Sequence, residues 1–346
     1  MRRSVSKAAN FSNPTMAAKL MRAVQYDRYG DGAAALKQVE VPIPTPSRDE
    51  ILLKVEAVSL NPFDGRIQKG VARPVLPGRF PYTPATDVAG EVIEVGSDVK
   101  NFKVGNKVLT VFSFRNGGGL AEYAIAKENS VVERPPEVSA AEAAGLPIAG
   151  LTAYLALTEV SGIKLDGSTI TLKKNILVTA ASGGVGHYTV QLAKLGNVHV
   201  TATCGTRNIG FVKSLGADEV LDYTTPDGAS LKSPSGVKYD VVIHCTTDIP
   251  WSTFQSNLSA NGKVIHLTPN PTTFCTFAFQ KLTFSKKQLV PWFLTPKSED
   301  LARVVGLVKE GKLKTTIDSR HPLSKADIGW AKMMSGHATG KIIVEP

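Results

Sequence analysis

This sequence predicts an α/β protein, a doubly wound parallel sheet joined to a second, β-rich unit, on three observations. Residues 175–208 read as strand, glycine turn, helix and second strand without a gap. Strand and helix patterns go on alternating after that stretch, whereas residues 20–136 before it are strand-like and turn-rich. The chain has 346 residues, 42% of them hydrophobic and 20% charged, which is ordinary globular material long enough for two domains. A chain of this size buries enough surface to need no disulfide or metal staple.

At the N-terminal end, MRRSVSKAANFSNPT carries Arg2, Arg3 and Lys7, and no acid precedes Asp27. Residues 1–19 therefore read as a leader, in the pattern of an organellar transit segment or a flexible tail, with Met16 as an alternative initiator. Five strand patterns follow, MRAVQYD, ILLKVEAVSL, GEVIEVG, KVLTVFSF and AEYAIA, separated by Pro, Gly and Asn clusters. PIPTP at residues 42–46 is a stiff connector. From about Ala140 the pattern becomes helical, and Pro147 is expected to interrupt that helix.

NILVTA is a short β-branched run suited to a strand buried on both faces of a parallel sheet. In the turn Ala181-Ser182-Gly183-Gly184-Val185-Gly186, small residues let the backbone approach a pyrophosphate, and the amides opening the next helix present partial positive charge to it. Ala181 stands where the general fingerprint has its first glycine. HYTVQLAKLG offers an apolar helical face at Val190, Leu192, Ala193 and Leu195, and VHVTATC is the second strand. An NAD site places an acid after that strand for the ribose hydroxyls. Here Cys204-Gly205-Thr206-Arg207-Asn208 has no acid and one guanidinium, which favours the 2′-phosphate of NADP. A solvated surface charge is the other reading of Arg207. Helix at 211–215, strands EVLDY and YDVVIHCT, helix WSTFQSNLS and strand KVIHLT extend the parallel sheet. A helix at 298–309, a strand around Thr315, a helix at 324–334 and the strand KIIVEP close the chain.

Cys204, Cys245 and Cys275 fit neither a disulfide framework nor a zinc-knuckle spacing and suggest a reducing compartment. No apolar run is long enough to cross a bilayer. The formal charge of +10 raises nucleic acid as a partner, but no arginine-rich arm, recognition helix or zinc module accompanies it. Eight lysines and arginines against three acids lie from Lys281 to Lys314, an excess suited to an anionic membrane surface. Residues 269–296 interleave Phe274, Phe277, Phe279, Phe284, Trp292 and Phe293 with Lys281, Lys286 and Lys287. That pattern fits a substrate lid, a dimer-edge strand or an interfacial membrane patch.

The segments SLNPFDGRIQKG, PATDVAGEVIEVG, GGGLAEYA, LPIAGLTAY, TAASGGVGHYTVQLAKLG, LGADEVLDY and ATGKIIVEP occur in the order of the medium-chain dehydrogenase/reductase superfamily. The chain resembles its zinc-free quinone oxidoreductase branch, and within it the plant chloroplast-envelope homologues. The resemblance implies a GroES-like catalytic domain (residues 20–147 and 312–346) wrapped around a Rossmann NADP-binding domain (148–311). It also implies NADPH as cofactor, enones or quinones as hydride acceptors, and a homodimer. A chloroplast location, peripheral at the envelope, is implied too, with the cytoplasm as the alternative.

Zinc members place a Cys ligand where this chain has Asn61-Pro62-Phe63-Asp64, and they carry a later four-cysteine lobe. No Cys precedes Cys204 here, so metal-free chemistry is expected. In hydride addition to an enone, negative charge gathers on the carbonyl oxygen, and a donor there lowers the barrier. Arg66 is one candidate, with a surface charge as the alternative. The resemblance places Asn61 near the nicotinamide ribose, Tyr223 near the 2′-phosphate, His244 and Cys245 beside the ribose, and Leu267 and Thr268 near the carboxamide. Thr152 and Lys341 join the cofactor set, Lys341 through the closing motif that borders the cleft. Asp64 is expected to fix its own loop. No dedicated proton donor stands out, Tyr82 and Tyr123 being candidates that core packing explains equally well. A membrane-associated NADP-binding regulatory protein with little or no turnover is the competing reading.

Overall fold

The computed structural model describes residues 19–166, 174–247 and 249–346, so all but the last residue of the predicted leader lies outside them. The strand Asn175–Val178 forms the centre of a six-stranded, all-parallel sheet. Its order is Glu219–Asp222, His199–Cys204, Asn175–Val178, Tyr239–His244, Leu258–His266, Gln288–Pro291, with every neighbouring pair parallel. Numbered along the chain this is 3-2-1-4-5-6, and the reversal falls between Asn175–Val178 and Tyr239–His244.

Continuous apolar runs form these strands because both faces are covered. Ile176, Val178, Ile243 and Ile265 pack on one side of the sheet, while the alternate residues Leu177, Val242 and Val264 pack on the other with Phe254 and Leu258. The second sheet has seven strands. Glu50–Leu60 is its hub, antiparallel to Asp87–Val95, to Tyr123–Lys127 and to the C-terminal strand Lys341–Glu345. The end of the chain thus returns to the sheet built by its first half. Trp330 seals this core from the helix Ala326–Ser335, and its indole N–H, which burial would otherwise orphan, donates to Gln68 Oε1 at 2.9 Å.

Pro147 interrupts the helical stretch as expected: the α-helix Ala140–Ala144 stops at the turn residue Gly145, and Pro147 lies in a π-type turn, Leu146–Gly150, that precedes the helix Leu151–Leu155. Two segments differ from the sequence reading. NPFDGRIQ forms the helix Pro62–Gln68, with Pro62 at its first turn and Asp64 Oδ2 accepting from Asn61 N at 2.9 Å. Within the aromatic segment, Pro271–Leu282 is a helix capped by Asn270, whose Oδ1 accepts from Thr273 N at 3.0 Å, and Gln288–Pro291 then forms the outermost strand of the parallel sheet.

Candidate active site

The carboxyl ends of the parallel strands open onto a cleft of about 480 Å³. Its walls are the glycine turn (Ala180, Ser182, Gly183), the segment after the second strand (Gly205, Thr206, Arg207, Asn208), Tyr223 and Thr224 after the third, and Gly336, His337 and Ala338 from the far side. The chain leaves Asn175–Val178 through Ala180, which adopts φ +49°, and Gly183 N closes the turn on Ala180 O at 2.9 Å. The helix Gly186–Leu195 begins with no side-chain cap and no acid in its first turn, so its positive end faces the cleft unmasked. A Cβ on Gly186 would lie 2.3 Å from Ala180 O, so only glycine lets this helix start so close to the strand. A Cβ on Gly184 would fill the gap to the Lys341 side chain, 3.4 Å from its Cδ. A small, donor-lined cradle at a helix N-terminus fits a dinucleotide diphosphate.

His187, absent from the sequence candidates, holds this turn from beneath. Its Nδ1 donates to Gly183 O at 2.9 Å and its Nε2 accepts from Thr316 N at 3.3 Å, a pairing that needs the neutral ring. Burial pushes its pKa down to about 4, consistent with a neutral ring. Ser182 Oγ accepts from Asn208 Nδ2 at 3.0 Å, and Gly340 N donates to Ser182 O at 2.8 Å. Both sides of the cleft are therefore tied to the turn.

Beside the second and third strands, Gly205 allows the Tyr223 ring to approach, since a Cβ there would lie 3.2 Å from the phenol oxygen. Arg207 is exposed at the rim and donates to the His337 carbonyl. Cys204 is a correction: its side chain is fully buried in the core and does not line the cleft, because the last residue of a strand covered on both faces points inward here. The sequence reading also passed over Asp222. Its carboxylate accepts from the Thr206 hydroxyl at 2.5 Å and from Thr224 N and Oγ1 at 2.9 and 2.7 Å, and these bonds hold its pKa below the usual carboxylate range. This acid orders the loop.

At the other end, Thr179 Oγ1 accepts from Cys245 N at 2.9 Å and pairs with His244 Nδ1 at 3.0 Å. The His244 ring lies 4.6 Å from that of His266, a residue the sequence reading did not single out. Burial, then the neighbouring His266, pushes the His244 pKa down to about 3, and burial, then the Arg66 guanidinium, lowers that of His266. Arg66 is half-buried on its short helix, and its positive charge is felt by His266. Leu267 N donates to His244 O at 3.2 Å, and Thr268 Oγ1 reaches Thr246 O at 3.4 Å. Thr152 is buried on the helical turn Leu151–Leu155.

Lys341 crosses from the C-terminal strand beneath Gly184 and donates through Nζ to Asn61 Oδ1 at 2.6 Å and to Leu60 O at 3.4 Å. Asn61 Nδ2 in turn donates to Asp87 Oδ2 at 2.9 Å. Burial raises Asp64 to about 7 and Asp87 to about 6, and it lowers Lys341. Tyr82 and Tyr123 are placed elsewhere: Tyr82 OH is spent on Phe114 O at 2.8 Å, and Tyr123 packs on the cluster of Met21, Ala23 and Ala121. Among the described residues no group of three or more His, Cys, Asp or Glu side chains could hold a metal ion.

Two family models match, the alcohol dehydrogenase GroES-like domain over residues 47–136 and the zinc-binding dehydrogenase over residues 215–344. The chain is 67% identical to a chloroplast envelope quinone oxidoreductase homologue of Arabidopsis thaliana, over 96% of this chain and 100% of that one. It is 32% identical to an NADPH-dependent alkenal/one oxidoreductase of the same plant, over 99% of this chain and 84% of that one. Among solved structures, the quinone oxidoreductase from Coxiella burnetii superposes with a TM-score of 0.85 at 31% identity, over 95% of this chain and 100% of that one. With the glycine turn at the switch point of a 3-2-1-4-5-6 sheet and the first half of the chain closing on its C-terminal strand, these likenesses establish that the chain belongs to the medium-chain dehydrogenase/reductase family of oxidoreductases, in its quinone oxidoreductase branch.

Proposed function

We propose that the protein is an NADPH-dependent, zinc-independent reductase of α,β-unsaturated ketones or quinones. The observation that carries this reading is one end of the cleft, where Arg207 and Tyr223 stand at the rim and the carboxylate of Asp222 is occupied by two threonines. Residues 148–311 act as the cofactor-binding unit, and residues 20–147 with 312–346 shape the substrate side. The bound nicotinamide supplies the hydride. The protein's part is to hold donor and acceptor in register, to exclude water and to stabilise the oxygen on which charge develops. Arg66 is the side chain we assign to that oxygen: it is a half-buried cation on the helix Pro62–Gln68, five residues past the Asn61 that Lys341 holds, and its charge lowers the pKa of His266. No Cys precedes Cys204, so the first half of the chain offers no cysteine ligand for a zinc ion.

Stopped-flow mixing of NADPH-loaded protein with enones and quinones of graded size tests this. Oxidation of NADPH in one acceptor class is expected, and tight NADPH binding with no oxidation across the panel would favour the regulatory reading instead. Product analysis then separates double-bond from quinone reduction.

The high identity to a chloroplast envelope homologue supports a chloroplast location, and one face suits a peripheral membrane position. Phe279, Leu282, Phe284 and Phe293 are exposed around the helix Pro271–Leu282, close in sequence to Lys281, Lys286 and Lys287. No helix of the described residues is long and apolar enough to cross a membrane. Aromatic rings at headgroup depth with lysines on anionic lipid would hold the protein at the surface. It is expected to float with anionic liposomes at low salt and to be released at high salt. Failure to float at low salt would leave the outermost strand Gln288–Pro291 as the edge on which two copies pair.

A further inference from the structure

Three ionisable side chains, Asp64, Asp87 and Lys341, are buried together where the second sheet meets the glycine turn. Asp87 is the least explained of them. Its Oδ2 accepts from Asn61 Nδ2 at 2.9 Å and from Ile148 N at 3.2 Å, while its Oδ1 is buried with no hydrogen-bond partner. Keeping such a group in the interior costs stability, and an apolar residue would pack there more cheaply. The structure offers a reason for it. A carboxylate can only accept, so it takes the NH₂ of Asn61 and turns the amide oxygen the other way. That oxygen receives Lys341 Nζ at 2.6 Å.

The ammonium is thereby drawn to a defined place. A Cβ built on Gly184 would lie 4.0 Å from Nζ, so the charge sits directly against the turn. Nζ has three protons, and Asn61 Oδ1 and Leu60 O account for two of them. Asn61 has little left to offer a cofactor, because its oxygen is taken by Lys341 and its NH₂ by Asp87, with Ser59 O 3.5 Å away.

We propose that Asp87 is a positioning residue: through Asn61 it aims the Lys341 ammonium at the ADP-ribose portion shared by NADH and NADPH. This rests on the reading of the cleft as a nicotinamide dinucleotide site and deepens it. Asp87 acts through Asn61 and touches no ligand itself.

The test is a double-mutant cycle on full-length protein, read as the Kd of NADH, ADP-ribose and nicotinamide mononucleotide by fluorescence quenching and calorimetry, without turnover. Lys341→Met is expected to weaken NADH and ADP-ribose about tenfold, the scale of one charged hydrogen bond, and to spare the mononucleotide. Asp87→Ala is expected to weaken the same two ligands to a similar degree, and Asp87→Ala/Lys341→Met no further than Lys341→Met alone. Asp87→Asn, which keeps an acceptor for Asn61 and nearly the same volume, should recover part of the loss and serves if Asp87→Ala folds poorly. Additive losses in the cycle, or unchanged affinities in both folded Asp87 variants, would overturn the positioning role. Unchanged ADP-ribose affinity in Lys341→Met would overturn the aim of the lysine while leaving the cofactor reading intact. A wild-type protein that binds none of the three ligands would overturn the cofactor reading itself.

Discussion

Gly186→Ala is expected to raise the Kd of either nicotinamide cofactor at least about tenfold and to lower Tm by several degrees, the consequence of about 1–3 kcal/mol of overpacking. The added methyl carbon would stand 2.3 Å from Ala180 O and 2.6 Å from Ala181 Cα. Both are backbone atoms of the strand exit, so no rotamer change relieves the clash. The helix Gly186–Leu195 must draw back, and its amides then leave the line on which they meet a diphosphate. Gly306→Ala is the control. Gly306 lies within the helix Ser298–Lys309 with nothing inside 4 Å of its would-be Cβ, so the same change there should leave affinity alone and stabilise by about 0.5–1 kcal/mol. Differential scanning fluorimetry with and without NADPH reads both outcomes. Equal behaviour of the two variants would remove the close-packing account of the turn.

That turn was legible in the sequence because its chemistry is local. Strand, small residues and helix follow one another within a dozen positions, and each constrains the next through backbone geometry. The order of alternating elements around it likewise fixed the parallel sheet. What the sequence hid was long-range. His187 is recognisable only when Thr316 arrives against its ring, and Asp87 only when Ile148 and Asn61 close on it. Nothing in local pattern distinguishes these residues from any satisfied polar side chain. Cys204 was misplaced for a related reason: a strand covered on both faces carries no alternation from which the direction of its last side chain can be read. The helix Pro271–Leu282 did leave a local signal, Asn270 before Pro271, but aromatic and Thr residues masked it with strand-like composition.

Arg207→Ala separates the proposed role of that residue from its observed contact. As a ligand for the 2′-phosphate it offers a planar guanidinium to a dianion, a contact worth about 1.5–3 kcal/mol, so NADPH should weaken about 10- to 100-fold and NADH less than about twofold. Because the side chain is exposed, the penalty should shrink as ionic strength rises. In the structure, however, Arg207 also donates to the His337 carbonyl and so ties the loop after the second parallel strand to the segment that carries Thr339, Gly340 and Lys341. If that tie is its main role, NADH and NADPH should weaken alike, with little dependence on salt. Tyr223→Phe sharpens the comparison, since it removes only a hydroxyl and leaves the Arg207 contact to His337 in place. Kd ratios for the two cofactors, measured for both variants at low and high salt, decide between the roles. A selective, salt-sensitive loss of NADPH supports the phosphate reading, and an equal loss of both cofactors ends it.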